Sequence, residues 1–415
     1  MAFTGHGMLM TLCLLIIIRH AAAIRATDDG GIIAPQWTPE AETWNERFAE
    51  SRLGNLSASA LPLAGLSMLF PNVVCTADSR VCHVTLGEGE INAAASAAAL
   101  VLSPALHLDR TYFLLSGIAG VSPRQATIGG VALARFAVQV ALQYELDARS
   151  LPNPDWPSGY FAYGRDRPLQ YPCVTYGTEV FELNARLRDA AFDFASGATL
   201  ADADGPRQYR QKYGAAQAVE PPAIVKCDVA TSDVYYSGTR LAEAFDNTTT
   251  LWTNGTGVYC MSAQEDNAVL EVLLRAAIQG LVDFGRIIVL RSGSNFDRPP
   301  PGLTDWQHLT ASNQQGFDLG LANMFNAGIQ IVAGILANWN CSFAAGLAPD
   351  NYIGDIFGSL GGQPDFGLGS ITDGRRVEAV QGGSRRGERG ASSADLAKRE
   401  MGRRGQFGPR ALRKM

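Results

Sequence analysis

Residues Val81 to Leu115 read VCHVTLGEGEINAAASAAALVLSPALHLDRTYFLL. Val81–Leu86 is short and strongly apolar, as a buried strand is. Gly87–Asn92, GEGEIN, is a glycine-rich turn. Ile91–Leu106 is Ala-rich and broken only by Asn, Ser and Pro, which predicts a buried helix packed closely on a sheet and ended by Pro104. Tyr112–Leu115 is apolar again. Strand, tight turn, helix and strand make a unit of an α/β fold. The alternation recurs along the chain. Gly129–Ala134, Ile224–Val229 and Ile287–Leu290 read as further strands; Glu179–Ala195, Gln264–Val282 and Leu319–Asn338 read as helices. Continuously apolar strands belong to a sheet covered on both faces. The expected architecture is a single large α/β domain with a mixed, mostly parallel twisted sheet flanked by helices.

Composition supports a globular body. The 415 residues are 47% hydrophobic and 18% charged, below the roughly 25% charged of an average soluble chain. The net charge of −6 is uneven. Residues 375–415 hold 12 Lys/Arg and 4 Asp/Glu, a net of +8, which leaves −14 for the rest. An acidic body has no electrostatic reason to bind nucleic acid. The Gly/Arg/Ser-rich stretch 375–415 reads as a basic disordered tail, or as an interaction arm.

Met8–Ile18, MLMTLCLLIII, is shorter than the ~20 apolar residues of a spanning helix. With Ala21–Ala23 behind it, the run reads as the core of a signal peptide over residues 1–26, or as an uncleaved anchor. Sequons at Asn55, Asn247, Asn254 and Asn340 agree with a secretory route to the outside or the cell surface. Residues 27–374 then form the domain. No other run has the length and apolarity of a span, which excludes a polytopic carrier. Beyond Cys13, six cysteines allow up to three disulfides; Cys75 and Cys82 flank a turn and could close a hairpin, and buried thiols are the other reading. No CxxC and no Cys/His cluster appears, so no metal or other cofactor is expected.

Five motifs carry polar chemistry at strand ends. GEGEIN offers backbone N–H groups at a helix N-terminus, either for an anion or polar ligand group or for a plain strand-to-helix connection. Ser116–Pro123, SGIAGVSP, sets small residues after a strand, where a ligand can approach the backbone. Cys227–Gly238, CDVATSDVYYSG, leaves a strand toward paired tyrosines that stack on a flat base or pack in the core. Tyr259–Ala268, YCMSAQEDNA, sets Gln264, Glu265, Asp266 and Asn267 at a helix start, able to accept sugar hydroxyls or to cap. Val289–Gly302, VLRSGSNFDRPPPG, ends a strand in polar residues and a proline lock. Together they outline a ligand crevice at strand ends.

Several strings resemble the purine nucleoside permease family: GEGEINAAAS (Gly87–Ser96), GIAGVSPRQATIGGVALARFAVQVALQYELD (Gly117–Asp147), YGTEVFELN (Tyr176–Asn184), TNGTGVYCMSAQEDNA (Thr253–Ala268), RSGSNFDRPPPG (Arg291–Gly302) and NYIGDIFGSLGGQPDFG (Asn351–Gly367). The resemblance covers roughly residues 50–369 and implies purine nucleoside uptake. More distantly, the chain resembles the nucleoside phosphorylase and nucleosidase superfamily. That likeness implies a nucleoside phosphorylase-like fold. Gly117, Ala119 and Gly120 match its Gly-x-Ala-Gly loop. Asp233 and Tyr235 match its Ser-x-Asp-x-Phe loop, whose aromatic packs on the purine. Gln264, Glu265 and Asp266 match its ribose-gripping Glu-Met-Glu. Asn295 falls where its acid protonates the purine N7, with Asp297 two residues on as a stand-in.

The departures are specific. Ile118 replaces the phosphate-side Ser of the loop, which weakens phosphorolysis. Asn295 hydrogen-bonds a purine but is a poor general acid. Ile128-Gly129-Gly130 stands where the superfamily has Val-Gly-Asp. The first strand expected after Ala34-Pro35 is missing. Three functions therefore stand: purine nucleoside binding and uptake, which without spans needs a membrane partner; an exported enzyme cleaving the N-glycosidic bond by hydrolysis or with inorganic phosphate, using Asp233, Asn295 or Asp297; and a descendant without catalysis.

Overall fold

The computed structural model describes residues 14–18 and 39–366. The strands are β1 (Leu14–Ile18), β2 (Ser59–Pro62), β3 (Asn72–Cys75), β4 (Val81–Thr85), β5 (Tyr112–Val121), β6 (Val131–Ala134), β7 (Phe136–Gln139), β8 (Tyr144–Glu145), β9 (Tyr160–Phe161), β10 (Val180–Glu182), β11 (Ile224–Lys226), β12 (Asp228–Thr231), β13 (Tyr259–Ala263), β14 (Ile287–Phe296) and β15 (Gly354–Asp355). The helices are α1 (Pro39–Arg47), α2 (Gly89–Leu102), α3 (Ala185–Ala195), α4 (Asp204–Arg210), α5 (Ala216–Val219), α6 (Thr239–Trp252), α7 (Asp266–Ile278), α8 (Asp305–Ala311) and α9 (Phe317–Ala337).

β5 is the hub. All ten of its residues are buried. Phe113, Leu115, Ala119 and Val121 face the core under α2 and α7. Tyr112, Leu114 and Ile118 face the core under α1, α3 and α9. The alternation is the two-residue period of a strand with both faces covered. β5 pairs in parallel with β14 and antiparallel with β1 and, at its far end, with β13. From β13 the sheet continues through β12, β7 and β10 to β15, and from β1 through β4 and β3 to β2. β6 joins β14 to β11. The sheet is mixed and flanked by helices, as expected, but its parallel pairings are confined to β5–β14, β6–β11, β7–β12 and β12–β13.

Several expectations change with tertiary context. The small residues Ser116–Gly120 are not a loop: they lie within β5, because β14 and β13 pair with them. Val180–Glu182 is a strand, and α3 starts only at Ala185, where the Asn184 side chain accepts from Arg186 N and Leu187 N. The expected strand Ile224–Val229 is two strands divided at Cys227, which is bonded to Cys260. Cys75 and Cys82 sit opposite each other in β3 and β4 and are bonded. Cys173 and Cys341 are free and exposed, so two bridges form among the described residues rather than three.

α9 also departs from the reading of the sequence. Among the described residues it is the one helix long and apolar enough to cross a membrane, yet 67% of its apolar window is buried inside the domain. It lies along β14, β5, α3 and α1. Gly328 permits that approach: a Cβ there would stand 2.7 Å from the Trp44 ring of α1, which packs edge-on to Phe325 at 5.1 Å.

The apolar run read as a leader core supplies β1. It runs antiparallel to β4, with Leu14 opposite Thr85 and Ile18 opposite Val81, and antiparallel to β5, with Leu14 opposite Ser116 and Ile18 opposite Tyr112. The sheet position expected to be empty is therefore filled from an upstream segment. A chain cut after Ala23 would lack it. The basic stretch 375–415 lies outside the described residues.

Candidate functional site

Strand ends bring four polar segments together, and hydrogen bonds trace their convergence. β4 leads through Leu86 into Gly87, Glu88 and Gly89, then α2. Gly87 and Gly89 have φ of 93° and 82°, where only glycine is unstrained. Glu88, at the N-cap, makes no side-chain cap bond. The orphan N–H groups of the helix are instead taken by distant carboxylates: Gly89 N donates to Glu265 Oε1 at 3.1 Å and Glu90 N donates to Asp233 Oδ1 at 2.7 Å. Negative charge at a helix N-terminus is stabilising. The expected seat for a ligand anion is thus occupied by the protein's own acids.

β13 ends at Ala263, and Gln264 and Glu265 follow. Gln264 Nε2 donates to the Asp233 carbonyl at 3.2 Å. Gln264 Oε1 and Glu265 Oε2 are buried and have no hydrogen-bond partner. Glu265 is fully buried, and its Oε2 stands 3.6 Å from Arg291 Nη2, beyond hydrogen bonding. Burial pushes the Glu265 carboxyl up to about 8, opposed by Arg291 and the Gly89 N–H. Near neutral pH it is protonated, so it can donate as well as accept. Two adjacent buried groups with unused capacity are what a ligand hydroxyl needs.

That proton has a consequence for stability. The folded state holds it up to about pH 8, whereas the ordinary value is 4.5. Its contribution is complete below about 4.5 and is lost as pH rises toward 8. Glu265→Gln should therefore flatten the pH dependence of the melting temperature across that window. The difference between wild type and variant should be on the order of 1–3 kcal/mol at pH 9, the cost of a buried unpaired group. Thermal melts from pH 5 to 9 check it.

Asp266 departs from its expected ligand role. Both its oxygens are taken by Arg291, at 2.7 and 3.1 Å, and both residues are fully buried. The pair anchors the start of α7 to β14. Beside it Asn267 accepts from Thr231 Oγ1 and donates to the Thr178 carbonyl, which fixes α7 against β12.

β14 bulges between Gly293 and Asn295, which brings Asn295 opposite Gly120. Asn295 Nδ2 donates to Tyr235 Oη at 3.1 Å, while its Oδ1 accepts from Ser294 Oγ. The Tyr235 ring is 37% exposed at the rim, so it offers a face that Tyr236, buried against Phe245, does not. Gly120 is the member of the small-residue motif that reaches this place. A Cβ there would lie 2.3 Å from Ser262 Oγ and 3.8 Å from Asn295 Nδ2. Gly117, opposite Arg291, and Ala119, whose carbonyl accepts from Ser294 Oγ, are interior strand residues and form no ligand loop.

Asp297, expected as a stand-in acid, is engaged by its own neighbours. Its carboxylate accepts from Arg298 at 2.7 and 2.9 Å and from Tyr259 Oη at 2.7 Å. It is a buried ion pair that holds the chain after β14. Asp233 remains at the site, exposed and capping α2.

Three further buried or half-buried polar residues were not singled out from the sequence. Glu90 is half-buried; burial first and the Asp233 carboxylate second push it up to about 7. Its Oε1 accepts from Gln139 Nε2 at the end of β7. Glu40, 2% exposed on α1, accepts from Ile118 N at 2.7 Å. The i, i+4 spacing of Glu40 and Trp44 on one helix face was its only sequence signal. Among the described residues no group of three His, Cys, Asp or Glu could hold a metal ion.

Comparison with known proteins agrees with the strings quoted above. Residues 31–348 match the family described as purine nucleoside permease. A purine nucleoside permease of Candida albicans is 46% identical over 316 residues, 75% of this chain and 78% of that protein. A probable purine nucleoside permease of Schizosaccharomyces pombe is 37% identical, covering 74% and 89%. Among solved structures, a 5′-methylthioadenosine/S-adenosylhomocysteine nucleosidase of Colwellia psychrerythraea in complex with adenine is 15% identical, with a TM-score of 0.40 over 71% of this chain and 91% of that one. A futalosine hydrolase of Helicobacter pylori is 14% identical, also at 0.40, over 73% and 94%. So distant a structural likeness carries no weight for what this chain does. On the extent and identity of the sequence matches, the chain belongs to the purine nucleoside permease family.

Proposed function

We propose that this chain binds purine nucleosides in the crevice between the α2 turn, Tyr235, Gln264–Glu265 and Asn295, as a step in nucleoside uptake. The observation that carries this is the pair of buried, unpartnered groups Gln264 Oε1 and Glu265 Oε2 beside an exposed tyrosine ring. The pair fits vicinal hydroxyls, the ring fits a planar base, and Asn295 can bridge to a base nitrogen. Among the described residues the one apolar helix of spanning length is packed in the core, so passage through a bilayer falls to a membrane partner. The secretory reading rests on the sequons. Asn55, Asn247 and Asn340 are exposed, and glycan there is checked by a mass shift on deglycosylation.

Calorimetry with inosine and adenosine tests the proposal; no heat of binding with either would end it. Tyr235→Ala should weaken binding by about 1–3 kcal/mol, the value of base–aromatic stacking. Unchanged affinity would remove Tyr235 from the site.

A second reading, cleavage of the glycosidic bond, draws on the protonated Glu265 carboxyl in the crevice. Hydrolysis suits it better than phosphorolysis, because the α2 N–H groups are filled by carboxylates. Following free base with and without phosphate separates the two, and no base in either condition leaves binding alone.

A further inference from the structure

Glu90 and Asp233 meet at the rim of the crevice from different elements. Glu90 opens α2, and Asp233 follows β12. Asp233 Oδ1 accepts from the Glu90 N–H, and the Glu90 carboxyl is tethered to Gln139 from β7. Glu88 lies in the same turn, and Glu265 accepts from Gly89 between them. Facing this cluster from β14, Arg291 is the basic group, and its guanidinium is committed to Asp266. The unpartnered Glu265 Oε2 and Gln264 Oε1, both in buried residues, are joined to this cluster through the Gly89–Glu265 and Gln264–Asp233 hydrogen bonds, so the acids border groups with unused hydrogen-bonding capacity.

We propose that Glu90 and Asp233 form a charge filter that admits uncharged nucleosides and turns away their phosphorylated forms. The inference rests on the nucleoside-binding reading and names which nucleosides the site accepts. A phosphate brought within a Debye length of about 8 Å would meet like charge at every step. The helix N-terminus, the natural counter-pole for phosphate, is already occupied from within by the Asp233 and Glu265 side chains. The filter strengthens with pH. Glu90 releases its proton around neutrality because burial and the Asp233 charge delay it, and Glu265 follows near 8 in wild type and variant alike.

Calorimetric titration of the full chain with inosine and with inosine 5′-monophosphate, at pH 6.0 and 8.5, is the test. Wild type should prefer inosine, and the preference should grow from pH 6.0 to 8.5. Glu90→Gln keeps a partner for Gln139 and removes the charge. It should reduce the preference at pH 8.5, read as the ratio of the two affinities, by about tenfold, as expected for one unit charge at short range in a partly wet site. The monophosphate's own ionisation is common to both proteins and cancels in their comparison. Glu88→Gln, a charge removed from the same turn without contact to Asp233, should change the preference less. Equal binding of both ligands by wild type, or a Glu90→Gln protein with an unaltered preference and an unaltered melting curve, would overturn the filter. Should Glu90→Gln melt early, Asp233→Asn supplies the same reading. Absence of inosine binding by wild type would instead overturn the nucleoside-binding proposal itself.

Discussion

Arg291→Met should lower the stability of this protein by about 3–5 kcal/mol, the cost of breaking a buried ion pair from one side. Arg291 is fully buried in β14 and donates through Nε and Nη2 to the two oxygens of Asp266. Its Nη2 also stands 3.6 Å from Glu265. Removal leaves two buried carboxyl groups side by side without a cation. Glu265 already carries a proton near neutral pH, so Asp266 is left as a buried charge without its cation, and the start of α7 loses its tie to the sheet. A denaturant titration reads the loss directly, and a melting point lower by on the order of 10 °C should accompany it. The double variant Arg291→Met with Asp266→Leu should recover part of the loss, since replacing a whole buried pair by apolar groups is often near neutral. A single variant as stable as wild type would show that the pair does not anchor α7.

Deleting residues 1–23 should cost the fold itself. The deletion removes β1, which pairs along five residues with β4 and along five with β5. Among the described residues only β1 is hydrogen-bonded between β4 and β5: the sheet order runs β5, β1, β4, β3, β2. The deletion therefore exposes two long apolar edges and detaches the β2–β3–β4 meander from the hub. Exposed edges of this kind pair with other chains. The loss is comparable with the whole folding stability of a domain, about 5–15 kcal/mol. The truncated chain should be aggregated, or cut by protease within residues 59–85 while the full chain resists. N-terminal sequencing of folded protein from its native host gives the complementary measurement. Folded material retaining Leu14–Ile18 is expected; stable material beginning after Ala23 would show that the run leaves as a leader.

The elements that the sequence announced are those whose signal is local. α2 follows from its Ala run and the Pro after it, and β4 and β14 follow from unbroken apolar stretches. Gln264 and Glu265 stood out as polar residues at a strand-to-helix junction, and the structure buries both there. What stayed hidden depends on neighbours far along the chain. Ser116–Gly120 looks like a loop by composition, since small residues have low strand propensity; β14 and β13 make it a strand. Asp266 and Asp297 look like Glu265 and Asp233 in one dimension. Arg291 claims the first, and Arg298 with Tyr259 claims the second. Glu90 gave no sign of its role because its proton affinity is raised by burial and then by Asp233, 143 residues away.

By itself, then, the amino-acid order determined the fold class, the family and four of the strand ends where polar residues collect. Each depends on periodicity, turn chemistry or an unbroken string of residues. Only the tertiary structure decided which acids are spent on internal cations and which are left facing the crevice, and which segment completes the sheet beside β5. Those outcomes are pairings. A carboxylate between Arg291 and open space, or a run of leucine and isoleucine between a bilayer and a sheet, takes its role from the partner whose removal from water costs least, and that partner is set by the fold.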